Sequence, residues 1–430
     1  MRAPEAPSSL ERDLGARLEE VAALLAELRD VVEERVLSPV PPAWCTARGW
    51  TPYLSQLRDD QLAEAELDAA RVFAGDERAP CSLRRLAERV ADLRALPGYE
   101  PGEDAGQRAL ELDPRLFGAR ARKRAQVTTL TAIALDSAHD AERIVDFGSG
   151  RAHLTRFLAG SFAKPAVGLE QRPAAVAAAR RLDERAAVDV RYEQRDARDE
   201  TVALAPRDLL VGLHACGALG DALIAAARRS GCAAMLVSCC PQKIEGETRE
   251  PLSTHGARLG LRIPRRVLGL ANLGALDHSL RANARAAEQR RLRHGLRLLL
   301  TDALGELEEG AESRGLNRRR FRGELARVAH TAFVARGLPV PTQQAIEAAD
   351  RAARAEHAVI RRLALPRTML ARVVELAVVL DRARALEERG HEACVLEAFP
   401  AFVSPRNLVV IARPPSSGPR PPLPIATAHG

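Results

Sequence analysis

The run Val145-Asp146-Phe147-Gly148-Ser149-Gly150 sets a carboxylate just ahead of a turn with two glycines. Glycine permits positive φ and close approach of a ligand to the backbone, and a helix starting there offers free N–H groups. A dinucleotide turn would read G-x-G-x-x-G, but His153 stands where the third glycine would be. An acid before a two-glycine turn suits a zwitterionic amino-acid group better than a pyrophosphate. Asp146 can attract an ammonium, directly or through water, while backbone N–H groups hold a carboxylate. Glu170, followed by Gln171, ends the next apolar run, where an acid accepts both hydroxyls of a ribose. Asp196, followed by Ala197, comes after the third run, where a side chain meets an adenine amino group. Groups for an amino acid, a ribose and an adenine together imply S-adenosylmethionine. The expected binding set is Asp146, Gly148, Ser149, Gly150, Glu170, Gln171, Asp196 and Ala197, joined by His214.

A second set follows the fourth and fifth apolar runs: Leu213-His214-Ala215-Cys216-Gly217 and Val237-Ser238-Cys239-Cys240-Pro241-Gln242-Lys243. In a class I methyltransferase sheet these two strands are neighbours, so His214, Cys216, Cys239, Cys240 and Lys243 should converge beside the methyl group. A sulfonium is already a good leaving group. The protein then supplies alignment and, for a hydroxyl acceptor, a base. His214, Cys240 and Lys243 are the catalytic candidates; His214 or Lys243 could take or stabilise the proton. His214 fits orienting the cofactor equally well. The cysteines also fit small buried hydrophobes. Their spacings match no standard zinc pattern, so no metal is assigned. Asp221 reads as the N-cap of a helix from Ala222 to Arg229. No Asn-Pro-Pro-Tyr-type run follows the fourth strand, which argues against methylation of a base amino group in the usual manner.

Strands and helices must alternate to bring these ends together. Apolar runs at Arg143–Asp146, Ala166–Glu170, Val188–Glu193, Asp208–Leu213 and Ala233–Val237 read as strands, with helical runs at 151–160, 173–187 and 221–230 between them. Continuous apolar strands separated by helices predict a parallel sheet covered on both faces. Ala393–Ala398 and Asn407–Ala412 read as a later pair returning antiparallel to its edge. The expected fold is α/β: a Rossmann-like class I methyltransferase sheet of five parallel strands plus a C-terminal antiparallel pair. Residues 1–105 read as an N-terminal helical domain, 106–270 with 391–413 as the methyltransferase domain, 271–390 as a helical insertion and 414–430 as a disordered tail.

The chain resembles a methyltransferase-like family that includes the "ribosomal RNA adenine dimethylase domain-containing" protein of animals. The resemblance runs from roughly 115 to 413. It rests on Arg120 to Val127, Asp146 to Gly150, Leu213 to Gly217 with Asp221, Ser238 to Cys240 and Lys243. It continues in Leu370 to Glu375, Asp381-Arg382, Glu388 to Gly390 and Ser404 to Asn407. The His-x-Cys-Gly, Asp and Cys-Cys features are also similar to those of tRNA ribose 2′-O-methyltransferases of the acceptor stem. The resemblance implies a class I methyltransferase and an RNA-associated role. Where relatives have Cys-Cys-Tyr/His-His, this chain has Cys239-Cys240-Pro241-Gln242.

The 430 residues carry 64 Lys+Arg against 57 Asp+Glu, a formal net charge of +7, with 46% hydrophobic and 3% aromatic residues. Such composition excludes wholesale disorder and fibrous classes. No apolar run of about 18 residues is present, so no membrane span is expected. Seven unpatterned cysteines suit a reducing cytoplasm. Only Lys123, Lys164 and Lys243 are lysines; the other bases are arginines, which fits a GC-rich coding sequence. Arginines concentrate in the insertion, with Arg318, Arg319 and Arg320 in succession. Phosphate contacts there would give salt-dependent binding, and a solvated, salt-bridged helical face is the alternative. Few aromatics disfavour a single-strand stacking platform, so structured RNA is the expected partner. A protein or small-molecule acceptor and a non-catalytic cofactor-binding RNA-associated factor are the competing readings.

Overall fold

The computed structural model describes residues 13–101, 119–183, 188–273, 279–308, 310–317 and 320–414. Arg318, Arg319 and the segment from 415 on, where the tail is expected, lie outside the described residues.

One sheet carries the site. Its parallel strands are β1 (Arg143–Phe147), β2 (Ala166–Glu170), β3 (Val190–Gln194), β4 (Asp208–Ala215) and β5 (Ala233–Ser238). A two-stranded antiparallel pair, β6 (Thr248–Arg249) and β7 (Ile263–Pro264), follows outside this sheet. The last strands are β8 (Glu392–Glu397) and β9 (Leu408–Arg413). The order is β3-β2-β1-β4-β5-β9-β8, with β9 antiparallel to β5 and to β8. This is the class I methyltransferase sheet, with the C-terminal pair at the expected edge. The order reverses between β1 and β4, and in open α/β sheets ligands bind outside the strand ends at such a point.

Alternation along β4 shows why both faces are covered. Leu209 and Val211 enter a buried cluster with Val127, Ile133, Phe157, Leu158, Val237 and Ile411. That cluster joins the sheet to α1 (Ala121–Ala138) and α2 (His153–Phe162). Gly212, of opposite phase, lies against Leu223, where a Cβ would come within 2.9 Å of the leucine methyl. Leu223 belongs to α4 (Ala218–Ser230), which follows α3 (Pro173–Asp183) and packs on β4 and β5. Helix α5 (Ala371–Glu387) packs on α4, β8 and β9.

The chain forms two compact units. One contains residues 1–29, 90–275 and 370–430; the other contains 30–89 and 276–369. This division differs from the expected boundaries at both ends. Residues 90–101 run to the sheet, where Gly98 bridges Glu397. Helix α5, expected within the insertion, is buried against the sheet because its apolar positions run around its whole circumference: Val373, Val374, Leu376, Ala377, Val379 and Leu380 are all fully buried.

The second unit is helical. Helix Leu280–Leu304 packs on helix Gln343–Leu363 and on helix Leu325–Val334. Its core includes Leu292, Leu296, Leu299, Phe321 and Phe333. Several of its arginines serve it internally. Arg291 binds Glu288 and Asp350, Arg297 binds Glu312, and the Arg293 guanidinium lies 5.2 Å from the centre of the Phe321 ring.

Candidate active site

The turn after β1 takes the geometry its glycines suggest. Gly148 and Gly150 have φ of +75° and +59°. Ala152, the α2 N-cap, is also left-handed and makes no side-chain cap, so the first N–H groups of the helix keep no side-chain acceptor from that residue. A Cβ at Gly148 would come within 2.8 Å of Leu219, and the left-handed backbone adds strain.

Asp146 is 2% exposed, and its Oδ2 accepts a 2.6 Å hydrogen bond from the Thr155 hydroxyl. Burial raises its pKa to about 6, against the pull of Thr155 and Lys123. Burial likewise lowers Lys123 to about 8, with the Asp146 charge opposing. A carboxylate and an ammonium thus face one another electrostatically at the end of β1. Lys123 is part of the resemblance, but nothing in its local spacing ties it to Asp146.

Glu170 also is buried. Its Oε2 accepts from the Gly150 N–H at 3.0 Å, and its Oε1 accepts from Arg172 N and Nε at 2.9 and 3.0 Å. Burial works against its charge, but the Arg172 and Gly150 contacts hold its pKa below the usual value. Gln171 is exposed at the same strand end. Ser149 donates its backbone N–H to Leu169 O, and its hydroxyl lies so close to Gly168 that a Cβ there would come within 2.8 Å. Asp196 is engaged by Arg198 at 2.6 Å, and Ala197 is buried beside it. The three acids thus stand at the ends of β1, β2 and β3. Glu170 and Asp196 hold arginines that a ligand would have to share or displace.

His214 lies at a β-bulge between Leu213 and Ala215 and is non-glycine with φ +67°. Its Nε2 lies 3.4 Å from Gln126 Oε1. Burial, then Lys123 and Arg122, lower its pKa to about 4, so the imidazole is neutral at pH 7. A neutral ring can accept a proton, but a base this weak has little driving force near neutrality.

The expected convergence is divided. The sulfurs of Cys216, Cys239 and Cys240 all lie within 4.8 Å of one another. Cys216 and Cys239 both donate to His214 O, at 3.3 and 3.2 Å. Hydrogen bonds from the other two thiols lower the Cys240 pKa, with Arg406 and Lys243 adding to the effect, while Cys239 is raised. His214 joins this group through its carbonyl rather than its ring. Lys243 has an exposed side chain, and its backbone meets the cluster: its N–H donates to Cys240 O at 3.1 Å and its carbonyl accepts from Ala218 N at 2.9 Å. Gln242 Oε1 is buried with no hydrogen-bond partner among the described residues.

Asp221 corrects the capping expectation. Helix α4 begins at Ala218, not Ala222, and Asp221 lies in its first turn. Its carboxylate takes Arg249 at 2.9 Å and Arg382 at 2.8 Å. Arg382, fully buried, also donates to Ser238 Oγ at 2.7 Å and Gly217 O at 2.9 Å. Arg249 reaches Asp381 at 2.8 Å, which accepts from Leu252 N and from Ser253. This quartet braces the ends of β4 and β5. The adjacent Asp381-Arg382 pair, directly after the apolar run Leu376 to Leu380, was the sequence signal for it.

Residues 122–247, less than a third of the chain, match the family model described as a methyltransferase domain. The domain is a class I, S-adenosylmethionine-dependent methyltransferase domain. Among solved structures the chain is similar to the tRNA (uracil-54, C5)-methyltransferase of Pyrococcus abyssi in complex with S-adenosyl-L-homocysteine. Identity is 23% over 27% of this chain and 29% of that one, with a TM-score of 0.23. It is also similar to the plantazolicin methyltransferase BpumL, at 12% identity over 42% of this chain and 61% of that one, TM-score 0.21. A third is the geranyl diphosphate C-methyltransferase of Streptomyces coelicolor A3(2), at 15% identity over 58% and 90%, TM-score 0.24. The chain spans less than two thirds of the length of the first two. At such TM-scores the sheet order of the chain itself, rather than these neighbours, fixes the fold. Among the described residues, no helix is long and apolar enough to cross a membrane.

Proposed function

We propose that the protein transfers the methyl group of S-adenosylmethionine to structured RNA. The cofactor's amino-acid group is a zwitterion. Buried Asp146 and half-buried Lys123, opposite in charge near the end of β1, would complement its ammonium and carboxylate. Glu170 would take the ribose hydroxyls once its hold on Gly150 N–H is released, and Asp196 with Ala197 would flank the adenine. Gln171 would lie at the ribose edge.

The observation that supports an anionic acceptor is the charge around the ends of β4 and β5. Lys123, Arg122 and Arg406 all act on His214, and Arg406 and Lys243 both act on Cys240. Arg120 and Arg122 are exposed at the start of α1. A polyanion gains most from such a rim. The second unit, by itself, carries exposed Arg281, Arg285, Arg320 and Arg322, although Arg291, Arg293 and Arg297 are taken up internally. The resemblance to RNA-associated methyltransferases points the same way.

Within the site, His214 is a neutral acceptor poised to hold the acceptor group in line, with Gln126 orienting its ring. Cys240 and Lys243 supply charge at the neighbouring strand end. The cytoplasm is the proposed compartment. The proposed organisation keeps a helical N-terminal segment ahead of a methyltransferase sequence that a helical insertion interrupts, with a C-terminal tail.

The deciding experiment is tritiated-methyl transfer from S-adenosylmethionine into fractionated cell extract. Label that disappears with nuclease and survives protease supports the reading. Label that only protease removes, or that stays in small molecules, overturns the RNA acceptor.

A further inference from the structure

We propose that Cys216, Cys239 and Cys240 form a three-sulfur binding site for zinc, with a fourth coordination position left open. The sulfurs already lie within 4.8 Å of one another. Tetrahedral zinc with Zn–S bonds of about 2.3 Å needs sulfurs about 3.8 Å apart, so closure asks for side-chain shifts of about an ångström or less. Two of the three thiols point at a single acceptor, His214 O, so their convergence does not depend on chance rotamers.

The backbone that presents them is clamped. Cys216 directly follows β4, and Cys239 and Cys240 directly follow its parallel neighbour β5. The two loops touch so closely that a Cβ on Gly217 would come within 2.0 Å of Lys243 O. Ala218 N–H donates to that same carbonyl. Arg382 ties Gly217 O to Ser238 Oγ across the two strands. A ligand set held on rigid strand ends loses little entropy when it takes up an ion.

Thiolate ligands select soft or borderline ions and exclude magnesium and calcium. Three thiolates and one divalent ion leave a single negative charge, and Arg406 and Lys243 stand near Cys240 to balance it. The ligands come from two strands and include two adjacent residues. That is why no C-x-x-C spacing marks them. Binding releases the thiol protons to solvent, with no change of oxidation state.

Three protein ligands with a free fourth position are the pattern of zinc sites that bind water or substrate. Resting on the proposed methyl transfer, that position would hold an acceptor hydroxyl and ease loss of its proton to solvent. Metal binding itself does not rest on that reading.

The test uses untagged full-length protein, reduced and then demetallated. Zinc content after dialysis against zinc is measured by mass spectrometry, and cadmium titration is followed by its thiolate charge-transfer absorption. One equivalent of zinc is expected in the native chain and in Cys81→Ser, an exposed cysteine elsewhere. Cys216→Ser and Cys240→Ser should each lower zinc affinity at least tenfold while retaining native circular dichroism. No uptake by the reduced native chain overturns the proposal, as does uptake unchanged in a Cys216→Ser, Cys240→Ser double variant. Labelled-methyl transfer measured in parallel separates failure of the metal site from failure of the methyltransferase reading.

Discussion

Replacing Asp146 with asparagine tests the cofactor site most directly. The carboxylate is 2% exposed, and burial raises its pKa from 3.8 to about 6. At about 1.4 kcal/mol per unit, keeping it ionised at neutral pH costs the empty protein about 3 kcal/mol. Native Asp146 holds its proton up to about pH 6, whereas an unfolded aspartate releases it near 3.8. Between those values the native state binds more protons, so its contribution to stability falls as pH rises through this window and stays low above it. Asparagine removes the charge and can still accept from Thr155. Loss of attraction for Lys123 offsets part of the gain. The expected result at pH 7 is a melting temperature higher by roughly 2–6 °C in the empty protein.

Cofactor binding should move the opposite way. If the ammonium sits on Asp146, a proton there competes with it. Affinity for S-adenosylmethionine in the native chain should then fall by up to about tenfold per pH unit below pH 6. Asp146→Asn should bind about 10- to 100-fold more weakly at pH 7, a loss of about 1.4–2.7 kcal/mol, and should show little change between pH 5 and 7. Calorimetry over that range avoids titrating the ligand's own α-amino group, which lies near 8. A variant that binds as tightly as the native chain with the same pH profile refutes the pairing. A variant whose empty form melts lower refutes the burial penalty.

Other substitutions separate the remaining roles. Gly148→Arg combined with Glu170→Ala should abolish cofactor binding in calorimetry, since one fills the turn and the other removes the ribose acceptor; retained binding would sink the site. His214→Ala should keep cofactor affinity within about twofold and lower labelled-methyl transfer by about 10²-fold, because the acceptor group loses its alignment; undiminished transfer would remove His214 from the reaction. Arg382→Met should destabilise the sheet unit by about 3–5 kcal/mol in denaturant melts, because Asp221 would keep Arg249 alone, which Asp381 already shares, and Gly217 O and Ser238 Oγ would lose their donor. Arg120→Ala with Arg122→Ala should weaken RNA binding and reduce the slope of log affinity against log salt by about 2; an unchanged slope would place phosphate contacts elsewhere.

The turn after β1 was legible because it is local. Asp146, Gly148 and Gly150 lie within five consecutive positions, and backbone sterics require glycine in that turn. Glu170 and Asp196 could be placed because strands that are apolar throughout end where polar residues begin. The same alternation of strand and helix determined the sheet, including its antiparallel edge pair. Lys123 was visible only as a rare lysine. Its partnership with Asp146 spans α1 and β1, and no periodicity links them.

The tertiary structure alone decided what the β4 and β5 ends hold. Cys216 and Cys240 are far apart along the chain, and they meet because parallel neighbouring strands stop level with each other. Asp221 became an ion-pair partner instead of a cap because α4 starts a turn earlier and α5 brings Arg382 to it. Local sequence determines which residues sit at strand ends, since that follows from backbone geometry and burial. Which of those ends face one another depends on the order in which strands pack, and only the assembled sheet supplies that.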